Sequence, residues 1–249
     1  MTLSLPWITG LFFIFIRLGT VLLFTPIQAI KQLPVSIRLL FIFIMSVLLV
    51  HSLPPVPSAN NVRILLGGLA EFSNGLILAT SLYAAFAVFQ IAGQLIDNEI
   101  GLNSLAVFNP EEHSQESLTS HLLSMLAVLF FFGIEGHLWL FKGLNYSFVI
   151  MPPGTLALFS GFTPVIKQFG FMFSMSFMIA SPIILALLTI DICGAIITRN
   201  MPQVSTYFLT LPIKILFGLL LLAMMLHYIS PITNSVFDLC FQTWQQVMR

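Results

Sequence analysis

Residues 5–24 read LPWITGLFFIFIRLGTVLLF and carry a single charge, Arg17, in an otherwise apolar run. A helix rises about 1.5 Å per residue, so a run of roughly 20 apolar residues covers the hydrocarbon core of a bilayer. The run predicts a membrane helix. No basic region precedes it and no A-x-A-like cleavage site follows, so it reads as a retained helix rather than a signal peptide. Five further stretches repeat the pattern, at 37–53, 64–92, 121–141, 166–192 and 207–230. The fold class that follows is all-α, a polytopic helical membrane protein with about six long apolar helices, some kinked, forming one domain over 1–249.

Composition agrees. Of 249 residues 58% are hydrophobic and 7% charged, against about 25% charged in soluble domains. The mean hydropathy is +1.01. Nine basic and nine acidic side chains cancel, which leaves no electrostatic footprint for nucleic acid. The two cysteines, Cys193 and Cys240, are far apart and lie in apolar surroundings, so neither a disulfide framework nor a zinc site is expected.

Proline separates the stretches. Thr25-Pro26 and Leu33-Pro34 follow the first, Pro54-Pro55-Val56-Pro57 the second, Met151-Pro152-Pro153-Gly154 the fourth and Met201-Pro202 the fifth. Proline lacks the backbone donor and drives its predecessor out of the helical region, so each marks a boundary. The third stretch would cover roughly 43 Å as a helix, too long for one upright span, and Gly67, Gly68 and Gly75 offer places to bend. Pro182 in the fifth predicts a kink whose freed carbonyl must be satisfied by a neighbouring helix or a cavity. The segment 93–120 is the largest polar one and holds five of the nine acids and no Lys or Arg. With the 25–36 connection placed inside, Lys31, Arg38 and Arg199 stand against Arg63, Lys142, Lys167 and Arg249, and three against four fixes no orientation.

Charges in or near the apolar stretches are the candidate site residues: Arg17, Glu71, Asp191, Glu135 and His137. A charge at the centre of a membrane helix costs about 2.5–3.5 kcal/mol on insertion scales. Two readings stand: a proton relay or ion site, and an ion pair or hydrogen bond that fixes helix against helix. Glu135 and His137 are two apart and so face different sides of a helix. Met172, Met175 and Met178, interleaved with Phe171, Phe173 and Phe177, offer either ordinary packing or a soft constriction around a moving chain. The sequence holds no HExxH, Walker loop, GxGxxG or GxSxG, and its five histidines show no ligand spacing. It therefore reads as a non-enzyme with no cofactor and no metal.

The run Gly93-Gln94-Leu95-Ile96-Asp97, then Gly101 and Val107-Phe108-Asn109-Pro110, resembles the central loop of the R-type (FliR) subunits of the bacterial flagellar type III export gate. Further matches follow in order: Gly136-His137-Leu138-Trp139-Leu140, the turn from Ser147-Phe148 to Pro152 and Gly154, and Thr198-Arg199-Asn200-Met201-Pro202-Gln203 leading into Leu211-Pro212-Ile213-Lys214. The opening fits as well, with Arg17, Gly19, Pro26, Pro34 and Arg38. Asn109 and Val204-Ser205 depart mildly from the pattern.

The resemblance implies a pore-forming, non-enzymatic subunit built into a helical assembly with P-type and Q-type subunits (FliP and FliQ). The FlhB-type switch subunit and the FlhA-type subunit are further expected partners, with unfolded flagellar proteins as cargo and membrane lipid around the assembly. The location implied is the bacterial inner membrane at the flagellar basal body. The resemblance also implies a plug over roughly 106–122, with Val107, Phe108 and Leu118 as its apolar members, Asn109 and Pro110 within it, and Glu111, Glu112 and Glu116 kept hydrated. Arg17, Glu71, Asp97, Glu135, His137 and Arg199 are the candidate assembly or buried polar contacts, and Arg199 to Gln203 is expected to form a fixed turn. T-type subunits of virulence injectisomes share the family, and the GHLWL run favours the flagellar branch. A secondary transporter coupled through Arg17, Glu71 and Glu135 is the alternative from another class.

Overall fold

The computed structural model describes residues 5–52, 61–101, 117–155, 163–201 and 206–248. All regular structure among them is helical. In chain order these are α1 (Leu5–Leu23), the single turn α2 (Gln28–Lys31), α3 (Val35–Ser52), α4 (Asn61–Ile100), α5 (Leu118–Gly133), α6 (Gly136–Ile150), α7 (Thr163–Asn200) and α8 (Thr206–Met248). Helices α1, α3, α4, α7 and α8 are each long and apolar enough to cross a membrane. The breaks after α1 and α6 fall at prolines that mark boundaries in the sequence, and the described parts of α3 and α7 end at Ser52 and Asn200.

Three boundaries differ from the sequence reading. The fourth stretch is not one helix, because α5 and α6 meet at an elbow bent by 71°. Its pivot is Glu135, whose φ of 58° is left-handed. The Glu135 N–H donates to the Phe132 carbonyl at 3.1 Å, while its own carbonyl accepts from Leu138 N at 2.9 Å. One residue thus closes a helix and opens the next. A side chain in this conformation costs about 1–2 kcal/mol, so Glu135→Gly is expected to raise the thermal midpoint of the purified protein, part of the gain being offset by the freer unfolded chain. A lowered midpoint would show that the Glu135 side chain holds the elbow.

Helix α4 runs for 40 residues and does not stop near Ala92. Its polar C-terminal turns still bury Ala92, Ile96 and Ile100, an i, i+4 stripe. Gly67 and Gly75 in its first half serve contact rather than a bend. A Cβ on Gly67 would lie 2.8 Å from Phe13 Cζ, and one on Gly75 would lie 1.7 Å from Thr20 Oγ1, so α1 rests directly on the α4 backbone. Helix α8 continues past Ser230 and through Pro231 to Met248. Thr233, Val236, Phe237, Cys240, Trp244 and Val247 are buried along it, a helical stripe that the average hydropathy of the polar tail conceals.

Pro182 lies inside α7. The Met178 carbonyl, four residues earlier, accepts from Ser181 Oγ at 3.2 Å. The freed acceptor is satisfied by the adjacent hydroxyl and needs neither a neighbouring helix nor a cavity. The methionine series does not hold one face: Met172 is buried and Met178 is 55% exposed. A three-residue step falls short of a 3.6-residue turn, so each successive methionine rotates off the seam.

The chain forms two compact units, one of Met1–Phe86, Phe131–Gly170 and Val236–Arg249, the other of Ala87–Phe130 and Phe171–Ser235. In the first, Phe86, Phe131 and Phe237 form a ring cluster with centroids 5.1–5.5 Å apart, beside buried Phe13, Leu18, Leu144 and Phe148. In the second, Phe89, Leu123, Ala127, Ile183, Leu187 and Leu222 are buried. Much apolar surface still faces outward. Within its apolar window α3 is 11% buried, α8 17% and α7 28%, against 72% for α4.

Candidate functional site

In the first unit the side chain of Arg17 is wholly buried, and it finds an acceptor for each part of its guanidinium. Nε donates to Glu71 Oε2 at 2.5 Å, an ion pair with no exposure on either side. Nη1 donates to the Ser147 carbonyl at 2.9 Å and to Ser147 Oγ at 3.3 Å, and Nη2 donates to the Met151 carbonyl at 3.2 Å. The Phe148 ring lies 4.5 Å from the guanidinium carbon, at cation–π distance. Glu71 Oε1 accepts from Gly154 N at 3.0 Å. Gly154 has φ +80°, which glycine adopts without strain and which presents its N–H to the carboxylate.

This junction ties α1 to α4 and to the C-terminal end of α6 with the turn that follows. Helix ends leave carbonyls without intrahelical donors, and Arg17 donates to that of Met151 there. A planar guanidinium with five donors suits the task, where a lysine could not reach three acceptors in one plane. Glu71, Ser147 and Met151 together satisfy the charge that a lone arginine would leave buried.

In the second unit Asp97 is wholly buried on α4 and receives the start of α5. Its carboxylate accepts from Thr119 N at 2.9 Å and from the hydroxyls of Ser117 and Thr119. Ser117 caps α5, with Ser120 N donating to its Oγ at 3.2 Å. Ser120 Oγ in turn donates to the Gln90 carbonyl of α4 at 3.0 Å. Gly93 is the notch that permits this approach, since a Cβ there would lie 2.3 Å from Ser120 Cα. The polar segment 93–120 therefore begins inside α4. Its first eight residues are helix, and Asp97 is buried because it satisfies the donors of a second helix start.

The expected plug is shortened by the same contacts. Leu118, 63% exposed, begins α5, so the last five residues of 106–122 belong to that helix. Val107, Phe108, Asn109, Pro110, Glu111, Glu112 and Glu116 lie outside the described residues.

Of the remaining candidates, Glu135 is exposed at the elbow, whereas Arg17 and Glu71 are buried and paired with each other. His137 packs its ring 5.5 Å from Phe132, and its buried Nδ1 has no hydrogen-bond partner among the described residues. Arg199 is exposed in the last turn of α7, where a cation meets the partial negative charge of the carbonyl end. Met201 N donates to the Ile197 carbonyl at 2.8 Å, and Pro202 and Gln203 lie outside the described residues. Asp191 pairs with Lys214 Nζ at 2.8 Å, linking α7 to α8.

Sequence reasoning names the two charges of the Arg17 junction but not its other half. Two of the acceptors are backbone carbonyls, which have no residue signature, although the turn that supplies them, from Ser147 to Gly154, is one of the stretches that carry the family resemblance. For Asp97 the signal is present as Ser117-Leu118-Thr119-Ser120, a hydroxyl-rich helix start before an apolar run.

Residues 8–240 match the family model described as bacterial export proteins, family 1. Among curated proteins the chain is similar to the flagellar biosynthetic protein FliR of Bacillus subtilis (strain 168), at 26% identity over 94% of this chain and 93% of that one. It is 27% identical to FliR of Pectobacterium carotovorum subsp. carotovorum, covering 97% and 94%, and 27% identical to FliR of Escherichia coli (strain K12), covering 95% and 92%. With the match spanning α1 to α8, and with both polar junctions inside it, the chain belongs to the bacterial export proteins, family 1.

Proposed function

We propose that this chain is a non-enzymatic, pore-forming subunit of the flagellar type III export gate in the bacterial inner membrane, acting as one domain. P-type and Q-type subunits are its direct partners, the FlhB-type and FlhA-type subunits are further ones, and unfolded flagellar proteins are the cargo. The observation that carries the reading is the division of labour among the helices. Internal charges are fastened within the chain, while α3, α7 and α8 present apolar faces that the chain itself leaves uncovered. A family match over residues 8–240 and relatives named as flagellar biosynthetic proteins favour the flagellar branch over the injectisome one. The Arg17–Glu71 pair, buried and bonded to Ser147, Met151 and Gly154, favours a fastening role over ion coupling.

Partner dependence tests this reading. Expressed without P-type and Q-type subunits, the chain is expected to fall several-fold in membrane abundance, because uncovered apolar faces and mass action both favour the assembled state. Equal and monodisperse yield without the partners would count against it.

In this reading residues 106–116 serve as a plug. Shortening that loop is expected to leave the assembled gate intact and to raise its ion leak, since the Asp97 contacts hold α5 to α4 without it. Conductance of purified wild-type and loop-shortened complexes in planar bilayers, at matched density, decides this. Identical leak in the two would remove the gating role.

A further inference from the structure

A second feature of the first unit stands apart from the Arg17 junction. A cavity of about 260 Å³ lies between the end of α1 with α2, the first turns of α3, and the α5–α6 elbow. Its walls are carbon, from Leu22, Ile27, Ile30, Ile42 and Leu140 among others. It reaches the surface, because the lining residues Leu33, Phe41 and Phe132 are each more than 40% exposed. Two polar side chains also line it, Arg38 and His137. Arg38 Nε and His137 Nδ1 are both buried, and neither has a hydrogen-bond partner among the described residues.

The charge around the opening has one sign. Residues 1–70 contain no acid, so the only ionised groups on the α2–α3 side are Lys31 and Arg38. From the elbow Glu135 is the one acid nearby in sequence; it is exposed and does not line the cavity. Glu71, the first acid of the chain, is committed to Arg17. Burying a guanidinium N–H without an acceptor is unfavourable, and an empty apolar cavity forfeits the contacts of its lining. The cavity exposes only carbon, and Arg38 is the one cation among its lining residues, so the ligand class that suits it is a hydrocarbon chain joined to an anionic oxygen acceptor. Helix α3, which bears Arg38, is apolar and long enough to cross a membrane, so the face beside the cavity is suited to lipid even where another face meets a partner subunit.

We propose that this cavity is a binding site for one anionic phospholipid, with an acyl chain entering past Phe41 and Phe132 and the phosphate held by the Arg38 guanidinium. Net positive charge at the opening selects an anionic headgroup over a zwitterionic one. The site does not depend on the export reading, since it needs only the chain and a bilayer.

The test uses the full-length chain, in whatever assembly it purifies, with retained lipid counted by native mass spectrometry after exchange against phosphatidylglycerol or phosphatidylethanolamine. Wild type is expected to retain phosphatidylglycerol at least threefold over phosphatidylethanolamine. Arg38→Gln should bring that ratio close to one, Arg38→Lys should keep most of it, and Ile30→Trp, which fills the cavity, should cut retention of both lipids at least threefold. Phosphatidylglycerol with a photoactivatable acyl chain gives a reading that needs no variant: labelling should fall on 30–42 and 131–141. An unchanged ratio in Arg38→Gln, full retention in Ile30→Trp, labelling confined to other segments, or a cross-linker at Phe41 that captures a protein chain instead of lipid would each overturn the site.

Discussion

Glu71→Leu is expected to strip the chain from the membrane fraction or lower its thermal midpoint sharply, and to do so more severely than Glu71→Leu combined with Arg17→Met. Removing one partner of a buried pair leaves an uncompensated charge and costs about 3–5 kcal/mol. Here the guanidinium left behind is wholly buried and loses its one carboxylate partner, while the Ser147 and Met151 oxygens that still accept from it are neutral. The double variant removes both charges. It does not return to wild type, because the Met151 carbonyl and Gly154 N would then lose their partners. The abundance and melting of both variants, measured with the partners co-expressed, check the order. A relay site predicts the opposite pattern: Glu71→Gln would leave abundance untouched and abolish transport. If the single and double variants prove equally stable, the junction is not a fastening.

The second large effect is expected at Gly93. An alanine Cβ would meet Ser120 Cα at 2.3 Å and Ser120 N at 2.5 Å, and these are backbone atoms that cannot rotate away. Helix α5 must lift from α4. The Asp97 carboxylate then loses the Thr119 N–H and the hydroxyls it holds, and the carboxylate is left buried. Overpacking alone costs about 1–3 kcal/mol, and the orphaned polar groups add to it. Hydrogen exchange should show lost protection in 90–100 and 117–125, with α1 and α6 little changed. Wild-type protection in Gly93→Ala would mean that α5 does not rest on α4 in solution.

The helical class was legible because a bilayer demands long apolar runs, and the prolines at 26, 34, 152 and 202 punctuate them as backbone chemistry requires. What the apolar runs concealed were the places where packing overrides composition. Helix α4 carries Gly93, Gln94 and Asp97 beyond its apolar run, and it stays helical because Ile96 and Ile100 are buried, Ile100 against Gly218 of α8, while Asp97 receives α5. The same holds for α8, whose polar tail hides the stripe ending at Trp244 and Val247. The elbow was illegible for the opposite reason. Residues 131–141 are apolar on both sides of Glu135, and only a left-handed φ at a non-glycine residue breaks them.

The candidate residues divide in the same way. Charges in an apolar context drew attention to Arg17 and Glu71, and the family resemblance to Asp97; each has its partners in the structure. Their oxygens and N–H groups from the backbone could not be seen in a string of residue types. Grouping Glu135 with Arg17 and Glu71 rested on hydropathy alone, and the exposed position of Glu135 separates it from them.

The central claim is that protein cargo passes along this chain. A flagellar export substrate fused to a tightly folded domain stalls in the gate, and a photo-cross-linking amino acid placed along its unfolded segment reports what it touches. The account predicts cross-links from the stalled segment to this chain, mapped by mass spectrometry, together with cross-links to P-type subunits, and none when the folded block is omitted and the substrate passes through. Cross-links to the other gate subunits with none to this chain, in a gate shown to contain it, would contradict the pore-forming role.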